Sequence, residues 1–190
     1  MLPFLAILLV AAGGVYLLRQ RETRASGAGP AQPAMSEDQI KQGWRTLGFF
    51  CEVDTEKRVW TLTGSRAGLL YFPDLLLGYV NDPQNATDGS KQHYDPYGSL
   101  EIMTYPEAGF DGHAIRGSLA ALAHLAELVE QKLAVAEPGE QLKIRDEFAA
   151  QSPFALVLDV RADGFDPAAA DRERLGATAE RKAPAPPAGG

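Results

Sequence analysis

Residues 58–80, RVWTLTGSRAGLLYFPDLLLGYV, change their apolar period in mid-stretch, and that change sets the fold class. Before Ser65 the run Val59-Trp60-Thr61-Leu62-Thr63 is β-branched, aromatic or apolar at every position, the composition of a strand. After it Leu69, Phe72, Leu76 and Tyr79/Val80 recur at helical spacing. Ser65 is placed to cap that helix, its hydroxyl accepting from a first-turn amide. Pro73 lies inside the helix, removes one backbone donor and predicts a kink. A strand that runs straight into a helix makes the chain α+β.

Upstream, Thr46 to Asp54 is again aromatic and β-branched, and TEK (55–57) turns it into Arg58, so the two runs predict a β-hairpin. Farther upstream, Ser36 and Gln39 match a capping box at the start of a short helix. Downstream, residues 81–98 (NDPQNATDGSKQHYDPYG) are dense in turn formers and predict a long surface loop. A strand over 99–105 would put Leu100, Ile102 and Thr104 on one side and Glu101, Met103 and Tyr105 on the other. Residues 118–134, SLAALAHLAELVEQKLA, form the strongest helix signal: Leu119, Leu122, Leu125, Ala126, Val129 and Leu133 make one apolar stripe, with His124 and Gln131 opposite. EPGE (137–140) ends that helix. QLKIRDEF and PFALVLDV then read as two strands about a turn near Gln151-Ser152. The order β-β-α-β-α-β-β predicts a two-layer α/β sandwich: one mainly antiparallel sheet with helices on one face.

The chain has 190 residues and a formal charge of −7. The basic residues near its two ends leave about −10 on the part expected to fold. Such a surface repels phosphate backbones and speeds encounter with basic proteins, so the expected partner is a basic protein and not a nucleic acid. Cys51 is the only cysteine, sits in the apolar run FFCEV, and is expected to be a buried structural thiol.

Residues 2–18, LPFLAILLVAAGGVYLL, carry no charge and lie at the short end of spanning length. Arg19, Arg21 and Arg24 follow the run and none precedes it, which places the folded domain on the cytoplasmic side of a single-pass inner-membrane anchor. This gives an anchor over 1–20, a flexible Pro/Gly linker over 21–35, a binding domain over 36–172 and a disordered tail over 173–190. A second reading starts the protein at Met35, which makes it soluble and cytoplasmic.

Few residues match a reactive constellation. TGSRAG (63–68) lacks the spacing that presents a nucleophilic serine. His93 and Asp95 form an H-x-D pair without a third ligand at linked spacing. DGHAIRGS (111–118) lacks the lysine of a phosphate loop, and ADGFDP (162–167) lacks the ligand count of a calcium loop. The sequon Asn85-Ala86-Thr87 matches a glycosylation acceptor by composition alone. No enzyme activity, metal or cofactor is expected.

The remaining pattern is that of a protein that acts by contact. Tyr94, Tyr97 and Tyr105 cluster in sequence, and tyrosine is enriched among interface anchors. The runs GSRAGLLYFPDLLLGYVNDP (64–83), HYDPYGSLEIMTYPEAG (93–109), IRGSLAALAHLAELV (115–129) and FALVLDVRADGFDPA (154–168) resemble the small α+β immunity proteins encoded beside bacterial polymorphic toxins. The resemblance covers residues 44–171 and rests on patterned apolar positions; such families do not in general carry the N-terminal segment. It implies neutralisation of a toxin by tight binding over or near its active site. The expected contact surface is residues 88–107, with Asp95, Tyr97, Glu101, Met103 and Tyr105 as its partner-binding residues. A competing expectation is a membrane-tethered accessory or assembly subunit of a larger membrane complex.

Overall fold

The computed structural model describes residues 35–171. The expected anchor, linker and tail fall on residues 1–34 and 172–190, outside that range, apart from the last linker residue, Met35. Among the described residues no helix is long and apolar enough to cross a membrane.

Helix α1 (Glu37–Leu47) begins with the expected capping box: the Ser36 hydroxyl accepts from the Gln39 amide at 3.3 Å, and the Gln39 side chain accepts from the Ser36 amide at 2.8 Å. It stops at Gly48, whose φ of 85° suits only a residue without Cβ. Strands β1 (Phe50–Asp54) and β2 (Val59–Ser65) form the expected hairpin, paired from Phe50↔Thr63 to Asp54↔Val59. Ser65 then caps a short helix, α2 (Arg66–Leu69), by accepting from the Gly68 amide at 3.1 Å.

The kink expected at Pro73 does not occur there. The helical run breaks earlier, at Leu70, and α3 (Tyr71–Val80) starts so that Pro73 falls in its first turn. In a first turn the amide has no intrahelical partner, so proline costs nothing.

A 3-10 turn (Pro83–Asn85) leads to β3 (Lys91–His93), β4 (Glu101–Thr104), β5 (Gly109–Phe110) and β6 (Ala114–Gly117). The helix α4 (Leu119–Ala134) follows, capped by Ser118, and buries Leu122, Leu125, Ala126, Val129 and Leu133 of the predicted stripe. Leu119 is half-buried, and His124 and Gln131 are exposed. Then come β7 (Gln141–Ile144), a one-turn helix α5 (Asp146–Ala149), β8 (Ala155–Arg161) and a last 3-10 turn (Pro167–Ala169).

The single, mainly antiparallel sheet is replaced by two mixed sheets of four strands, in the orders β1-β2-β8-β7 and β3-β4-β6-β5. Each has antiparallel outer pairs and a parallel central pair, β2 with β8 and β4 with β6. The physical cause is connectivity: everything from α2 to α5 is inserted between β2 and β8, and so long a crossover brings the second strand back parallel to the first. The near-continuous apolar run 155–160 is the mark of a strand covered on both faces; five of its six residues are buried.

The two sheets meet at side-chain contacts. The Trp60 indole donates to the Asp111 carbonyl at 2.6 Å, and the Ser152 hydroxyl accepts from the Phe110 amide (2.8 Å) and donates to its carbonyl (2.7 Å). Cys51 is buried in the core, as expected.

Gly68 marks the closest approach in the fold. A Cβ built there overlaps the Gly48 carbonyl oxygen and comes within 3.1 Å of its carbon. Backbone cannot swing aside as a side chain can, so Gly68→Ala is expected to cost about 1–3 kcal/mol. Gly78, in α3, has nothing within 4 Å of the same construction, and Gly78→Ala should instead stabilise by about 0.5–1 kcal/mol. Thermal unfolding of the pair checks the packing of α1 on α2; equal midpoints would rule it out.

Candidate functional site

The segment before β4 is held by buried polar groups. Asn85, 3% exposed, donates to the Tyr79 carbonyl at 2.9 Å and accepts from Gln92 at 3.2 Å, while its own carbonyl accepts from the Thr104 hydroxyl at 2.6 Å. Its amide nitrogen is thus engaged inside the fold. The Tyr79 hydroxyl donates to the Ser90 carbonyl at 2.6 Å and accepts from the Thr104 amide at 2.9 Å. Burial raises the hydroxyls of Tyr79 and Tyr94 above the usual tyrosine range, which keeps both protonated as donors. The expected surface loop 81–98 is therefore interrupted by β3, which pairs with β4 from Lys91↔Met103 to His93↔Glu101. Lys-Gln-His has no intrinsic strand preference; the partner strand makes it one.

Asp95 closes the turn between β3 and β4 from inside. It is 3% exposed and accepts from the Leu100 amide (2.5 Å), the Ser99 hydroxyl (2.8 Å) and the Tyr97 amide (3.2 Å). The expected exposed contact carboxylate is in this structure an internal brace. His93 does not join it: one ring nitrogen lies 2.7 Å from the Gly98 carbonyl and the other 3.1 Å from Glu101.

The predicted alternation of β4 holds. Leu100, Ile102 and Thr104 are buried, and the register sets Lys91, Met103, Arg116 and Gly109 in one cross-strand row with His93, Glu101 and Ala114 in the next. Glu101 nevertheless differs from expectation, because only 9% of it is exposed. Lys91 (2.9 Å) and His93 (3.1 Å), both from β3, close over its carboxylate. Both neighbours lie in what the sequence presents as loop, so nothing in β4 alone foretells the cover.

Met103 and Tyr105 are half-buried on the same face. The Arg116 guanidinium lies 4.5 Å above the Tyr105 ring, and its Nε is 3.4 Å from Asp111. That distance is long for a hydrogen bond with this geometry, and the buried Nε makes none. Gly109, across from Arg116, packs against the inner edge of the guanidinium: a Cβ there would sit in van der Waals contact, 3.5 Å from Nε and 3.9 Å from Nη2. Tyr97 turns elsewhere, donating its hydroxyl to Asp171 at 2.6 Å beside Trp44. Of the five predicted residues, then, Glu101, Met103 and Tyr105 share one face, and Asp95 and Tyr97 do not.

Arg116 is the residue that sequence reasoning missed; Lys91 and His93 lie within the expected surface 88–107 but were not among its named contact residues. The four residues of β6 hold a single apolar–polar alternation, Ile115-Arg116, too short to register as a strand. The fixed charges of this face cancel, Lys91 and Arg116 against Glu101 and Asp111, although the chain as a whole is acidic. No protein-family model, curated protein or solved structure matches the chain.

Proposed function

We propose that the chain acts by binding another protein, in the manner of a toxin-neutralising immunity protein, through the outer face of the second sheet. The observation that carries this reading is the Arg116–Tyr105 stack beside Met103. Methionine, tyrosine and arginine are the residue types enriched at interface centres, and here the arginine lies over a ring while its buried Nε makes no hydrogen bond among the described residues. A carboxylate of the partner would meet the solvent-facing end of this guanidinium in a charge-assisted hydrogen bond. Long-range and short-range electrostatics divide the work: the acidic chain steers a basic partner into encounter, and Arg116 fixes register once contact is made. Lys91, His93, Glu101 and Asp111 form the polar rim.

Affinity capture from native membranes, run with the full chain and with a version starting at Met35, supplies the partner. Arg116→Ala is then expected to weaken its binding about thirtyfold, the effect of an interface hot spot near 2 kcal/mol. Tyr105→Ala should weaken it in parallel, because the stack positions the guanidinium. Affinities of both variants equal to that of the parent protein would remove this face from the interface.

A further inference from the structure

The helices build a second surface, independent of the sheet face. Arg66 on α2, Leu70 at the break between the helices and Asp74 on α3 line one wall of a cavity. On α4, Glu130, Leu133 and Ala134 share a side at spacings of three and four. These six residues line a cavity of about 460 Å³ between the helices. Leu133 is fully buried and forms its floor, whereas Leu70 is 39% exposed. Next to the lining in sequence are Tyr71, 55% exposed, and Val135, 79% exposed. Of the five large apolar side chains exposed among the described residues, Leu70 lines the groove, and Tyr71 and Val135 adjoin its lining in sequence.

Charge identifies the occupant. Asp74 stands on one wall and Glu130 on the other, and among the described residues neither carboxylate has an ion-pair partner. Arg66 contributes the one cation. We infer that the groove docks an amphipathic helix of a protein partner, with its apolar stripe on Leu70 and Ala134 above the buried Leu133 and its Lys/Arg residues facing Asp74 and Glu130. On the other wall, Glu130 to Ala134 lie on the single helix α4, about 6 Å apart at the helical rise, and Arg66, Leu70 and Asp74 face them across the break between α2 and α3. That length accepts about one turn of a third helix, read by anchors at i and i+3/i+4. The same carboxylates repel an anionic lipid surface.

The probe is a synthetic 18-residue amphipathic peptide of leucine and lysine, titrated against the full chain by calorimetry and by amide chemical shifts. The largest shifts are expected at Leu70, Leu133 and Ala134. The double reversal Asp74→Lys with Glu130→Lys should weaken binding at least tenfold, and so should Leu70→Asp; all three sites are on the surface, and unchanged thermal midpoints confirm the fold. Asp88→Lys with Asp163→Lys reverses the same charge at exposed positions that do not line the groove and should change binding less than threefold. Arg116→Ala should leave it unaltered, which separates this site from the sheet face. Equal weakening by both double reversals, shifts centred elsewhere, or binding to phosphatidylglycerol vesicles in place of the peptide would each overturn the inference.

Discussion

Trp44→Ala is expected to remove about 3–5 kcal/mol of stability, the range for deleting a large buried aromatic side chain. Trp44 is fully buried on α1, edge-on to Phe50 at 4.9 Å and to Tyr97 at 5.9 Å. Its indole donates to Asp171 at 2.8 Å, 127 residues away. That carboxylate is 2% exposed, its Oδ2 takes both the indole and the Tyr97 hydroxyl, and its Oδ1 makes no hydrogen bond among the described residues. The three side chains therefore hold α1, the β3–β4 turn and the C-terminal end of the described chain together, next to the exposed Arg45–Asp166 pair. Trp44→Phe separates the contributions: it keeps most of the ring and removes one donor from a buried charge, at a cost of about 1–3 kcal/mol. Because both donors serve one oxygen, Trp44→Phe and Tyr97→Phe should couple in a double-mutant cycle. Urea unfolding measures all of these; a loss below about 1 kcal/mol for Trp44→Ala would contradict the cluster.

The legible parts of this fold share a physical property: their cause is local. The α4 stripe, the β1–β2 hairpin and the three serine caps at Ser36, Ser65 and Ser118 each rest on residues within a few positions of one another. What escaped is set by partners far along the chain. QLKIRDEF reads as one strand, yet pairing with β8 ends at Ile144 and Asp146–Ala149 form a helical turn. The parallel register of β2 on β8 depends on the inserted chain between them, and only the apolar density of residues 155–160 hints at it. Glu101 shows the same limit at the candidate site. Its side of the strand follows from alternation, but its cover comes from Lys91 and His93, and short polar β3 carries no strand signal. Arg116 was hidden in turn because β6 is four residues long.

Asp95→Ala is expected to cost about 2–4 kcal/mol, and it tests how far a carboxylate in a predicted contact loop serves the fold instead. Three donors lose their acceptor at once, and among them the Leu100 amide is buried, with no water to replace the oxygen at 2.5 Å. Hydrogen bonds to charged groups contribute about 1.5–3 kcal/mol each, and a buried donor left unsatisfied costs about 1–3 kcal/mol; relaxation of the turn keeps the sum below simple addition. Asp95→Asn retains one acceptor oxygen and should fall between the variant and the parent protein. Hydrogen exchange at the Leu100 amide should speed up in both, more in the alanine variant, while amides of α4 change only with global stability. The two roles give opposite signatures. An interface carboxylate lost to Asp95→Asn would lower partner affinity and leave unfolding untouched, whereas an internal brace lowers stability and leaves the affinity of the folded molecules within about threefold, since a side chain that does not reach the partner contributes little to binding. Glu101, 9% exposed beneath Lys91 and His93, differs from Asp95 in lying on the sheet face itself, where its carboxylate holds those two rim side chains in place. On the proposed reading the recognition chemistry of the face falls to Met103, Tyr105 and Arg116, which are only partly buried.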